Sequence, residues 1–309
     1  MNAPAETVTP PSLAPHARIG TFNLFHILVR RELWEHRVLW IAPLVVSGLY
    51  LLICFIPGTV SFGRSAIEGG SADSGTSMIM RTQTVFMGLL FILMSVAVFF
   101  YLADCLYAER KDRSILFWKS LPVSDAATVL SKLLVALVVV PVGLFVLAIV
   151  TNLAVAGILF ARFHSNPGLA GLEPWNPLEW FELNVLLLAD ILLVSLWFAP
   201  VAAYQLLMSA WARSSVFIWT VLPPLALVLG ERVFFKTWHI GTLIGQRLGM
   251  GFVSAARTHG DTFELGLTGN FDNFNMLGIL ASPQLWVGAA VAAALVFATI
   301  RIRRYRDDS

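Results

Sequence analysis

Six stretches of this chain carry almost no charge over the roughly 20 residues that a helix needs to cross a bilayer. Their cores run from Val38 to Ile56, Thr84 to Cys105, Val129 to Phe160, Val185 to Met208, Val216 to Val233 and Pro283 to Ile300. Hydrophobic residues make up 57% of the sequence and charged residues 13%, against about a quarter charged in an ordinary soluble domain. The expected fold is therefore an all-α integral membrane protein with six transmembrane helices. The first apolar run follows an amphipathic stretch instead of a short basic segment, so no cleavable signal peptide is expected.

An even number of spans puts both termini on one side. With the termini inside, the basic residues divide fourteen to seven in favour of that side, and the positive-inside rule then makes it cytoplasmic. The net charge of +2 is too small to point to nucleic acid. Cys54 and Cys105 both lie inside spans, where a thiol behaves as a small apolar group, and no disulfide is expected.

Residues 1–20 read as a disordered leader rich in Pro and Ala, and 21–309 as one transmembrane domain. Within it, Phe22, Phe25, Val29 and Leu33 recur at helical spacing, with Arg30, Arg31, Glu35 and Arg37 on other faces. That pattern predicts an interfacial elbow helix over 21–37; an ordinary helix packed on the protein is the alternative. The glycine- and serine-rich segment 57–80 reads as an outer loop. The third apolar run exceeds 30 residues, about 45 Å of helix, so it must tilt, protrude or kink at Pro141. Pro223 and Pro224 predict a bend in the fifth span. Between spans five and six, Gly241, Gly245 and Gly249 stand four apart, but Gln246 and Arg247 interrupt them. The segment reads as an amphipathic or re-entrant outer helix, since a seventh span would carry the basic C-terminal segment outside.

The chain has no phosphate-binding loop, and none of its four lysines follows the required glycines. Its histidines are scattered, without metal-ligand spacing. Two acids lie within or at the edge of spans. Asp104, at one end of the second, suits structural anchoring. Asp190, about one turn inside the outer end of the fourth, is the better candidate for lining a cavity.

Charge concentrates in one island, "ERKDRSILFWKSLPVSDAATVLSK", from Glu109 to Lys132. Apolar Ile115 to Trp118 stand among charges, Pro122 breaks any helix, and Ser124 with Asp125 is suited to start the next. Exposed Phe117 and Trp118 in a charged rim have the composition of a docking knob; a loop whose aromatics sit at headgroup level fits equally well.

This island resembles the cytoplasmic loop after the second span of bacterial type 2 ABC exporter permeases. There Glu-Arg leaves the membrane and Leu-Pro-Val-Ser leads into a helix with an early lysine; the matching positions are Glu109, Arg110, Leu121, Pro122, Val123, Ser124 and Lys132. Where many relatives have Gly-Thr or Gly-Ser, this chain has Arg113-Ser114. The overall plan is also similar, with an elbow helix, six spans and outer helices between spans five and six.

The resemblance implies a non-catalytic permease subunit in the bacterial cytoplasmic membrane. It binds no cofactor itself, and ATP and Mg belong to a separate ABC ATPase partner. It pairs with a second permease chain and exports an amphipathic, drug-like, peptide or lipid-like cargo by alternating access. By the same resemblance Arg113, Phe117, Trp118 and Lys119 form the ATPase-docking element, Glu109 and Arg110 brace it, and Arg213 is a second contact. The alternatives are an ion-coupled carrier using Asp190 and a non-transporting membrane scaffold.

Overall fold

The structure is a computed structural model that describes residues 21–56, 78–112, 123–165, 177–253 and 276–305. Among these residues every regular element is helical. A backbone surrounded by hydrocarbon has no water to bond with, and a helix satisfies its amides and carbonyls internally. Helix α1 covers Thr21–Glu35, α2 Val38–Phe55 and α3 Met78–Lys111. The third apolar run is a composite of α4 (Asp125–Leu134), a π turn (Val135–Val139) and α5 (Val140–Ser165). Then come α6 (Pro177–Trp211), α7 (Val216–Gly230) with a π turn at Glu231–Phe235, α8 (His239–Val253), α9 (Met276–Ala281) and α10 (Pro283–Tyr305).

Six of these segments are long and apolar enough to cross a bilayer: Val38–Phe55, Val85–Lys111, Asp125–Ile158, Pro177–Trp211, Val216–Phe235 and Pro283–Tyr305. The protein is thus a multi-pass membrane protein, as the hydropathy predicts. The second and fourth spans belong to longer helices than their apolar cores suggest. In particular α3 continues to Lys111, so Glu109 and Arg110 occupy its last turn. The long third run accommodates Pro141 by a π turn immediately before it, a usual place for a helix to absorb a missing amide. In α7 the helix continues through Pro223 and Pro224.

Helix α6 is the central post, packing against α10 and α3 most extensively, and also against α5, α7 and α8. Small buried residues explain the close fit. Ala199, Ala202, Ala203, Ser209 and Ala210 line α6, and Gly288, Ala292 and Thr299 line α10. Without hydrophobic driving force in lipid, such small side chains let helices approach for dispersion contacts. The largest core cluster joins Leu102 and Leu106 of α3, Val129 of α4, Leu206 of α6 and Val296 of α10. A second joins Phe86 and Leu90 of α3, Phe145 of α5, and Leu183 and Leu187 of α6. Polar bonds tie the same three helices: Gln83 donates to Asn184 at 2.7 Å, and Trp180 donates its indole N–H to Asn152 at 3.1 Å.

The faces of α2 and α7 that point away from the bundle are apolar, with Leu52, Leu222 and Val233 mostly exposed. Cys105 is buried and Cys54 half-buried, neither in a disulfide. The Glu231 carboxylate accepts from the His239 and Ile240 amides at 2.6 and 2.7 Å, capping α8 and fixing its departure from α7. The spaced glycines of α8 do not form a uniform close contact. A methyl on Gly241 would strike the Trp238 ring, while one on Gly245 would meet open space.

Candidate functional site

The helix ends flanking residues 112–124 converge on a buried ionic knot. Glu32 of α1 and Lys132 of α4 have no exposed side-chain surface, and the lysine ammonium bonds both carboxylate oxygens at 2.8 and 2.9 Å. Lys132 also lies 3.1 Å from Glu109, in the last turn of α3. Glu109 receives Arg31 of α1 on one oxygen at 2.8 Å and Arg303 of α10 on the other at 2.7 Å. Arg303 extends its Nε to Asp125, the first residue of α4, at 3.1 Å. Tyr101 of α3 donates to Glu32 at 3.1 Å. Arg31, Lys132 and Arg303 thus face Glu32, Glu109 and Asp125, three cations against three carboxylates, and the exposed Glu35 carboxylate joins Arg31 from the edge at 3.3 Å. Such balance is what makes burial tolerable: desolvating an ion costs several kcal/mol, and removing one partner leaves the other stranded.

Local sequence places these groups. Glu32 follows Leu28 by four residues and Val29 by three, so it shares their buried face of α1. Lys132 follows Thr128 by four and Val129 by three in the same way. Ser124 caps α4, accepting from the Ala127 amide at 3.1 Å, and Asp125 stands in the first turn as expected there. The face of α1 differs slightly from the expected one: Leu28 and Glu32 are fully buried, while Phe25, Val29 and Leu33 are half-buried.

Around the knot, burial pulls the outlying groups in different directions. Burial alone would lower the Arg31 guanidinium, but Glu32, Glu35 and Glu109 outweigh it and hold it above its ordinary value. Burial raises the Glu35 carboxyl, although Arg31 opposes it. Burial lowers the His36 imidazole, with Lys132 acting in the same sense and Glu32, Asp104 and Glu109 against it. Glu32, Glu35 and His36 come within 4.8 Å of one another, a spacing open to a metal ion. Glu32 is already committed to Lys132, Arg31 and Tyr101, however, so the trio is better explained as part of the knot.

Arg110 points to the neighbouring helix end. It donates to the main-chain carbonyls of Ser209 and Ala212 at 2.6 and 2.8 Å, satisfying acceptors that the end of α6 leaves open. The Ser209 hydroxyl in turn accepts from the Leu106 and Tyr107 amides at 3.1 Å each. The turn between α6 and α7 therefore sits beside the end of α3. It carries exposed Arg213 and is closed by Ser215 in the left-handed conformation. Arg113, Phe117, Trp118 and Lys119 lie outside the described residues, as do residues 1–20, 57–77, 166–176 and 254–275.

Two cavities are notable. One, of about 900 Å³, lies beside the knot and has Glu35, His36, Arg37, Asp104 and Tyr107 in its wall. Asp104 is exposed there, about two turns before the end of α3. The other, of about 270 Å³, lies further along the bundle between α3, α5, α6 and α8. Neither wall includes Asp190. That residue is half-buried, with Oδ1 accepting no hydrogen bond among the described residues.

Sequence reasoning singled out Glu109, Arg110 and Lys132 but passed over Glu32, Arg303 and Arg31 as knot members. The signal was a charge falling on an apolar helical face: Glu32 after Leu28, and Arg303 after Val296 and Thr299. Comparison with family models, curated proteins and solved structures finds no match.

Proposed function

We propose that the chain is the transmembrane permease subunit of a bacterial type 2 ABC exporter, driven by a separate ATPase and paired with a second permease chain. The observation that carries this reading is the grip of Arg303 on both ends of one connection. Glu109 closes α3 before residues 112–124, Asp125 opens α4 after them, and one guanidinium holds both. A push on that connection is delivered at once to α1, α3, α4 and α10. Arg110 passes the same displacement to the end of α6 through two short bonds.

In this reading the knot end is cytoplasmic, as are both termini. Residues Arg113 to Ser120 dock on the ATPase through Phe117 and Trp118, with Arg113 and Lys119 in the rim and Arg213 as a second contact. The chain performs no chemistry. Nucleotide and Mg are bound by the partner, whose closure drives the bundle between inward- and outward-open states. The apolar spans suit an amphipathic, drug-like, peptide or lipid-like cargo.

The deciding experiment purifies the chain with its ATPase after Phe117→Ala or Trp118→Ala. Loss of association, or of coupled ATP turnover, in normally inserted protein supports docking; unchanged association and turnover in both variants overturns it. A Lys119→Cys variant in intact cells should resist a membrane-impermeant maleimide.

A second reading draws on Asp190, a carboxylate within the fourth span whose Oδ1 has no hydrogen-bond partner among the described residues. In an ion-coupled carrier, Asp190→Asn abolishes gradient-driven movement of solute with no ATPase present. In the exporter reading it leaves ATPase association intact.

A further inference from the structure

The smaller cavity has an almost wholly apolar wall, built mainly from Phe91, Met94 and Phe99 of α3, Val140 and Leu144 of α5, and Phe198 of α6. Its two polar lining residues are Ser95 and Arg247. The Ser95 hydroxyl is occupied, donating to the Phe91 carbonyl at 2.8 Å. Arg247 is different. Its guanidinium stacks on the Trp197 ring at 4.0 Å, donates to the Trp197 carbonyl at 3.2 Å and donates to the Gln284 carbonyl. Among the described residues no carboxylate pairs with it. A guanidinium has five N–H donors, and two carbonyls leave most of that capacity, and the whole positive charge, unmatched.

Its bond to Gln284, in the first turn of α10, places the guanidinium at the starting end of the sixth span, so the charge stands at the rim of the apolar cleft, where an anionic head group can meet it. The fold also makes room for it: a methyl on Gly288 of α10 would lie 2.5 Å from the guanidinium nitrogens. The cavity opens sideways past Val96 and Leu248, both more than half exposed, so a ligand can enter from the bilayer. Its volume of about 270 Å³ falls just below the about 300–1,000 Å³ usual for small-molecule sites. That suits one short chain better than a two-chain lipid.

We propose that this cavity binds a single-chain anionic amphiphile, a medium-length fatty acid, with its chain in the apolar cleft and its carboxylate on Arg247. The carboxylate supplies a counter-charge that none of the described residues provides, and accepts the spare donors in charge-assisted bonds. The site is built within one chain and stands whether or not the chain is a permease.

The test uses the full-length purified protein and dodecanoic acid carrying a photoreactive diazirine at the chain terminus. Label should map to peptides containing Met94, Val98 or Val140. Dodecanoate should suppress it about tenfold or more, and dodecylamine should not. Arg247→Gln should weaken labelling by a similar factor. Gly288→Ala, which displaces the guanidinium, and Val194→Phe, which fills the cleft, should do so with Arg247 retained. Melting temperature and elution profile show which variants are folded. Equal labelling of the outward faces of α2 and α7, equal competition by the amine, or unchanged labelling in folded Val194→Phe protein would each overturn the proposal.

Discussion

Lys132 and Glu32, a hundred residues apart in sequence, meet in a two-pronged contact at 2.8 and 2.9 Å with no exposed side-chain surface on either. The contact fixes the first helix to the start of the third span, and Glu109 and Arg303 extend it to the second and sixth. Because charge is balanced across the group, each member is stabilising mainly in the presence of the others.

Removing the ammonium should therefore be severe. Lys132→Met leaves Glu32 without its main counter-ion and should cost about 3–5 kcal/mol, read as a large drop in melting temperature in detergent. The double variant Glu32→Leu/Lys132→Met should recover a substantial part of that loss. A double variant no more stable than the single would show that the pair is not the coupled unit described here.

The two bonds of Arg303 should differ in weight. Glu109 is almost fully buried, whereas about a quarter of the Asp125 side-chain surface is exposed. Arg303→Gln should cost about 3–5 kcal/mol, while Asp125→Asn should cost about 1 kcal/mol or less. Thermal unfolding of both variants at one pH and salt concentration checks the ratio.

Ser124 closes the first turn of α4 with one side-chain bond to the Ala127 amide. Ser124→Ala should cost about 1 kcal/mol, and Ser124→Asp much less. Equal losses in the two variants would mean that the hydroxyl does not act as a cap.

The imidazole of His36 gives a pH signature. Burial holds its folded pKa below the ordinary value of 6.5, so the unfolded chain takes up the proton first as the pH falls. Stability from this group is complete above pH 6.5 and declines as the pH drops from there toward the folded value. Glu35, raised by burial, has the opposite slope, so the comparison must be between wild type and His36→Gln. Between pH 7.5 and 5.5 the wild type should lose more melting temperature than the variant.

How much of this was legible in sequence follows from which forces act alone. Each span announces itself, because lipid requires a continuous apolar run and a helix can form one unaided. The cap at Ser124 is also local, and its residues predict it. Glu32 was hidden because the charged residues of α1 suggest a polar face, and only the partner a hundred residues away turns one of them inward. Arg303 was hidden in the same way among four arginines near the end of α10. Arg247 gave no periodic signal, since its place depends on a ring in α6, a carbonyl in α10 and the missing side chain of Gly288.

The wide turn at Val135–Val139 carries a further consequence. One additional residue in a helical turn rotates everything beyond it by about 100°, so the segment bearing Lys132 and the segment bearing Asn152 keep separate angular frames. A ruler of constant pitch laid along the third span will misplace one or the other. Deleting a single valine there would preserve the apolar run and its insertion, yet swing the lysine off its carboxylates.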